Sequence, residues 1–383
     1  MLKLVILIIY FAVLIGIGLY CRKHATDVNG FVLGGRSVGP WLTAFAYGTS
    51  YFSAVVFVGY AGQFGWKYGI AATWAGIGNA IIGSLLAWVV LGRRTRIMSQ
   101  HLDSATMPQY FGKRFGSNPL KIGASVIIFI FLIPYTASLY NGLSRLFGMA
   151  FNIDYSVCII IMATLTAIYV IAGGYMATAI NDFIQGIIML FGIVAVIAAV
   201  IHSKGGFMSA LQGLANVSDP AVSDTPGIFA SFFGPDPFNL LCVVILTSLG
   251  TWGLPQMVQK FYAIDNEASI QNGTVISTIF ALIVSGGCYF LGGFGRLFDN
   301  PVLYNEQGGV IYDGIIPFML SSLPDILIGV VIVLVLSASM STLSSLVLTS
   351  SSTLTLDFLK DNVLKNLNEK RLLLLMRVLI VFF

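Results

Sequence analysis

The stretch S-A-S-M-S-T-L-S-S at residues 337–345 decides how this chain is read, because it lies inside a run (327–356) otherwise apolar enough for hydrocarbon. At helical spacing Ala338, Ser341, Thr342 and Ser345 share one stripe, with Ser344 beside it. Such hydroxyls have an ordinary use: they bond back to a carbonyl four residues earlier and hold helices together. A second feature points further. Asp182, in A-I-N-D-F-I-Q-G, is the acid found within the apolar body of another helix. A carboxylate at membrane depth costs about 2.5–3.5 kcal/mol on insertion scales, so it should face the interior beside a cation, a proton or donors. Acid and hydroxyls together point to bound sodium, a hard ion that prefers oxygen ligands.

Composition agrees with a membrane setting. The 383 residues are 57% hydrophobic and only 9% charged, with a mean hydropathy of +0.89, whereas a soluble domain carries roughly a quarter charged residues. The apolar runs are far longer than the strands of an outer-membrane barrel, so the expected fold class is an all-α membrane protein. A net charge of +4 without a basic, aromatic-interleaved cluster excludes a nucleic-acid binder. Cys21, Cys158, Cys242 and Cys288 are scattered and read as packing residues, and His24, His101 and His202 are not spaced to share a metal.

Taken in order, the first run (4–20) is followed by Arg22 and Lys23 without a cleavage motif, so it reads as a retained span. Further spans are expected at 41–62, 70–91 (closed by R-R-T-R at 93–96), 122–150, 155–171, 177–201, 238–263, 270–291 and 327–356. A polar connection at 204–237 reads as an extracellular loop, a short helix is expected at 315–322, and a charged linker (357–371) leads into 372–383. Basic residues alternate with the spans: Arg22, Lys23, Arg36, Arg93, Lys121, Lys260, Lys360 and Arg371 on one side, against few, such as Lys67, Lys204 and Arg296, on the other. The positive-inside rule then puts the amino terminus outside a cell (inner) membrane.

Two spans are unsuited to regular helix. The middle of 41–62 reads Y-G-T-S-Y-F-S-A, and that of 238–263 reads L-G-T-W-G-L-P-Q, where Gly250, Gly253 and Pro255 together break a helix. Numbered from Trp41 they are the first and sixth helices, an odd offset, so two groups of five enter the membrane inverted. Interrupted segments at matching places in inverted halves point to a transporter site at the midplane. The expected organisation is an extra helix (1–21), a first repeat (41–201), an extracellular loop (202–237) and a second repeat (238–383), truncated within its ninth helix. Carbonyls freed at Thr49 and Phe52, opposite the Ala338 carbonyl and the Ser341 and Thr342 hydroxyls, would form one sodium shell; Asp182 with Ser341, Ser344 and Ser345 would form a second.

At this point the chain resembles the sodium/solute symporters, over nearly its whole length. The likeness is carried by F-V-L-G-G-R-S-V-G, G-T-S-Y-F-S-A-V-V-F-V-G, G-G-Y-M-A-T-A-I-N-D-F-I-Q-G-I-I-M-L, G-L-P-Q and A-S-M-S-T-L-S-S. The resemblance implies the inverted five-plus-five helix repeat of the leucine-transporter fold with an extra amino-terminal helix. It also implies the two sodium shells named above and sodium-coupled import of a small organic solute by alternating access. Val55 and Val56 stand where the sugar-carrying branch has Glu-Gln, which argues against sugars, and Tyr51, Thr247 and Thr251 differ from the proline branch. The motifs look most similar to the pantothenate and proline branches, implying a carboxylate, with Ser53, Val56, Tyr135, Thr251, Trp252 and Gln256 facing it.

Three alternatives stay open: a proton-coupled carrier that titrates Asp182, a channel, and a sensor built on the same bundle. An enzyme is not expected, since H-E-x-x-H, a Ser-His-acid set and a phosphate-binding glycine loop are missing from the sequence.

Overall fold

The computed structural model describes residues 2–151, 154–321, 323–360, 363–364 and 367–383. Among these the ordered backbone is helical, apart from isolated bridges such as Val38 to Ile264. Helix is what hydrocarbon demands, because it satisfies every backbone donor and acceptor within one segment.

Helix α1 (Leu2–Cys21) leads through the short α2 (Val28–Leu33) to the first interrupted span. That span starts as α3 (Pro40–Tyr51), with Pro40 in the first turn, where no amide hydrogen is needed. It breaks at Phe52, whose backbone turns extended (φ −100°, ψ 114°), and resumes as the wide-turned segment Val55–Tyr60 and then α4 (Ala61–Tyr68). After a turn at Gly69 (φ 62°), α5 (Thr73–Gly78) continues through wide helical turns into α6 (Arg93–His101). Here the sequence reading needs correction: R-R-T-R does not close the helix but begins α6. Arg96 is buried there, donating to the carbonyls of Ile264 and Asp265.

Helices α7 (Met107–Phe115), α8 (Asn118–Phe151) and α9 (Tyr155–Ser203) follow. The 49 residues of α9 would reach roughly 74 Å at 1.5 Å per residue, more than twice a hydrocarbon core. It is two spans meeting at Gly174, which leaves helical geometry at φ 56°, ψ −146° and packs directly on the Phe31 backbone, where a side chain would collide.

Beyond α10 (Phe207–Ala215) comes the second interrupted span, α11 (Pro237–Leu249) and α12 (Pro255–Ala263). One tight turn (Gly250–Gly253) and an extended Leu254 separate them, and the two arms meet at 54°. The glycines and Pro255 thus act where expected. Then follow α13 (Glu267–Gly292), α14 (Tyr312–Ser321), α15 (Asp325–Thr353) and α16 (Glu369–Phe382). Ser322 of the expected short helix and part of the 357–371 linker lie outside the described residues. Among the described residues six helices, or seven counting the bent pair, are long and apolar enough to cross a membrane.

Helix α15 is the axis of the bundle. It packs on α9, α8, α3 and α1, and from Val331 to Thr353 nearly every residue is buried, which is how a helix this rich in serine stays out of lipid. On the far side α4 and α13 touch backbone to backbone. A Cβ on Gly65 would strike the Gly292 carbonyl, and one on Gly292 would strike that of Ala61.

Candidate cation and solute sites

The break after Tyr51 leaves the last carbonyls of α3 without intrahelical donors. The Thr49 carbonyl turns to α15, where Ser341 Oγ lies 3.2 Å away and Thr342 Oγ1 3.4 Å away. Both hydroxyls also reach the Ala338 carbonyl, at 3.1 and 3.0 Å. Two hydroxyl protons therefore face four acceptor contacts, in a place where Thr49, Ser341 and Thr342 are fully buried. Each hydroxyl proton can go to one carbonyl, and the same four oxygens keep spare lone pairs, so the set has the donor chemistry that a small hard cation requires. Phe52, buried at the break, sets its ring edge-on to Phe57.

A second constellation lies one residue and one helical turn away. Asp182 is fully buried, and neither of its oxygens has a hydrogen-bond partner. Its neighbour is a side chain that the sequence reading misplaced. Lys260 is not a surface charge: it is 1% exposed on α12, with its Nζ 3.6 Å from Asp182 Oδ2. The ammonium donates to Ser345 Oγ at 3.0 Å and lies 5.0 Å above the centre of the Tyr175 ring. Ser345 Oγ in turn is 3.0 Å from Ser50 Oγ of α3. Of the other hydroxyls expected beside Asp182, Ser344 donates to the Ser341 carbonyl three residues back, and Ser341 faces Thr49.

Helix α1 contributes too. Tyr10 Oη accepts from Gln185 Nε2 at 3.0 Å and Ser337 Oγ at 3.2 Å, fastening α1 to α9 and α15. No periodicity marks a single tyrosine in an apolar run, so the sequence offered no sign of this. Lys260 likewise becomes internal through packing, among Met257, Val258, Phe261 and Tyr262, all buried.

The residues expected to face solute separate into two sorts. Thr251 donates to Ser248 O, Trp252 Nε1 to Ile82 O, and Ser53 accepts backbone bonds from Val56 and Phe57; these polar groups hold the breaks in shape. Val56 and Tyr135 are partly buried against the core. Gln256 differs: it is fully buried, and both its amide nitrogen and its oxygen lack a partner. An amide left open at the start of α12 can supply a donor and an acceptor to a bound molecule.

Two broken helices, a buried oxygen cluster at one break and an open amide at the other define a membrane carrier of the cation-coupled kind. The sodium:solute symporter family model matches residues 31–383, and the chain belongs to that family. It is a sodium-coupled solute symporter in a membrane. Curated relatives include the sodium/proline symporter of Escherichia coli, 28% identical over 99% of this chain and 74% of that one. An osmoregulated proline transporter of Bacillus subtilis is also 28% identical, over 97% and 73%. Among solved structures, a substrate-bound, outward-open sodium-coupled sialic acid symporter superposes with a TM-score of 0.82 at 17% identity, covering all of this chain and 78% of that one. The nucleobase-cation symporter Mhp1 follows at 0.54 and 14% identity. These two show the fold.

Proposed function

We propose that the chain imports a small carboxylate solute, of the amino-acid or pantothenate kind, on an inward sodium gradient across the cell membrane, with its amino terminus outside. The coupling sodium binds at the α3 break, held by the Thr49, Phe52 and Ala338 carbonyls and the Ser341 and Thr342 hydroxyls. The observation that carries this is the four-way contact of two hydroxyls with the Thr49 and Ala338 carbonyls. Sodium there joins α3 to α15, and solute then closes on the ordered break, with Gln256 at the start of α12 as a recognition group. Because ion and solute share the broken helices, each tightens the other by the same factor.

A carboxylate is favoured because relatives are named for proline and the structural neighbour for sialic acid, both acids. Thr247 is already engaged with Asn79 Oδ1 at 3.2 Å, and Tyr51 donates to Thr247 O, so both groups are committed within the protein. Sidedness is supported by a polar cavity of about 510 Å³ that gathers Arg36, Lys113, Lys121 and Lys360 with Asp103 and Glu369 on one face. The opposite loops carry the Arg296–Asp219 pair at 2.9 Å.

Uptake of radiolabelled small carboxylates and amino acids into proteoliposomes tests the reading. Accumulation should follow an imposed sodium gradient at constant pH; accumulation driven by a proton gradient in sodium-free buffer would refute it.

A further inference from the structure

Resting on the sodium-coupled reading, we infer that the Lys260 ammonium is a tethered resident cation occupying the second ion position beside Asp182, so that this chain carries one sodium per cycle. The position has what a cation site requires: a buried carboxylate whose oxygens accept no hydrogen bond, a hydroxyl at contact distance and an aromatic face. Lysine suits it because its ammonium is a compact point charge with three donors. Ser345 takes one of them at 3.0 Å, Asp182 Oδ2 lies at 3.6 Å, and the Tyr175 ring covers the ammonium at 5.0 Å.

A free sodium admitted to the same oxygens would sit against this ammonium in a dry interior, where like charges repel far more than in water. The side chain therefore satisfies Asp182 and excludes the ion. Placement on α12 adds a second consequence. The ammonium ties the second broken helix to α15 through Ser345 and to the distal half of α9 through Asp182, while Ser345 meets Ser50 of the first broken helix. A cation bound by diffusion leaves on every cycle; one carried on a side chain remains.

The test counts ions on the purified full chain in lipid nanodiscs by equilibrium binding of ²²Na⁺ alone. Wild type should saturate at one ion per chain, Lys260→Met at two, and the Lys260→Met/Asp182→Asn pair again at one. A wild-type count of two overturns the inference and leaves the first site standing, as does a folded Lys260→Met that binds only one. A wild-type count of zero overturns instead the reading on which the inference rests. Should Lys260→Met not fold, the wild-type count still decides.

Discussion

Consider removing one charge of the buried pair. Lys260 and Asp182 are 1% and 0% exposed, at 3.6 Å; Arg93 and Glu267 approach closer, 2.6 Å, but are 70% and 48% exposed. Distance alone would rank the second pair higher. Burial reverses the order: an exposed pair contributes about 0–1 kcal/mol, whereas deleting one partner of a buried pair strands the other charge and costs about 3–5 kcal/mol. In sodium-free choline buffer, Lys260→Met and Asp182→Asn should each lose roughly that amount of unfolding free energy, and Arg93→Gln less than about 1 kcal/mol. The double variant Lys260→Met/Asp182→Asn should recover most of the loss, because two neutral side chains need no counter-charge. Denaturant titration in mixed micelles, followed by tryptophan fluorescence, measures the cycle. Additive losses in the double variant would refute the pairing, and with it the electrostatic account of the α12 to α9 contact.

Three other outcomes follow from the same geometry. Thr342→Ala, which removes one of the two hydroxyls on the Thr49 carbonyl, should weaken sodium by about 1.5–3 kcal/mol, roughly 10- to 150-fold in half-saturating concentration; an unchanged sodium dependence of uptake would count against the first site. Gln256→Leu should raise the solute KM by at least about tenfold while ²²Na⁺ binding without solute stays as in wild type, a split that a purely structural glutamine would not produce. Gly292→Ala should destabilise the chain by about 1–3 kcal/mol in a thermal melt, since its methyl meets the Ala61 backbone, which cannot rotate away.

How much of this was legible beforehand depended on whether a residue's meaning was local. The second break was legible because Gly250, Gly253 and Pro255 deny the backbone what a helix needs whatever surrounds them. The division of α9 into two spans was legible from its length, though the break falls at Gly174, and so was the hydroxyl stripe of α15, which its period alone places on one face. Lys260 was not, because its meaning depends on what lies across the bundle. Counted along the chain it resembles any positive residue at the end of a span. Only the packing of α12, buried from Pro255 to Ala263, makes it internal. Arg96 was misjudged on the same ground, its guanidinium being spent on the carbonyls that end α12 rather than on solvent. Ser344 shows the converse: its position on the helix was foreseen, but the bond its hydroxyl makes to Ser341 O is set by rotation about one bond, which period does not specify.

The two centres are not independent, and the reason is already in T-S at positions 49 and 50. Where α3 ends, Thr49 offers its carbonyl to Ser341 and Thr342, and Ser50 its hydroxyl to Ser345, so consecutive residues read two turns of α15. Sodium at the first centre would pull the Thr49 carbonyl toward α15, and the same movement presses Ser50 onto the serine that holds the Lys260 ammonium. Ion binding at the first broken helix would thereby be transmitted to α12, and so to the second, through one hydroxyl pair and one ammonium. Coupling by such a contact requires that α3, α15 and α12 keep their register. The buried α15 and the bond from Thr349 Oγ1 to Gln259 Oε1 at 2.8 Å maintain it, as do the Val38 amide on the Ala263 carbonyl and the Asp265 amide on the Val38 carbonyl.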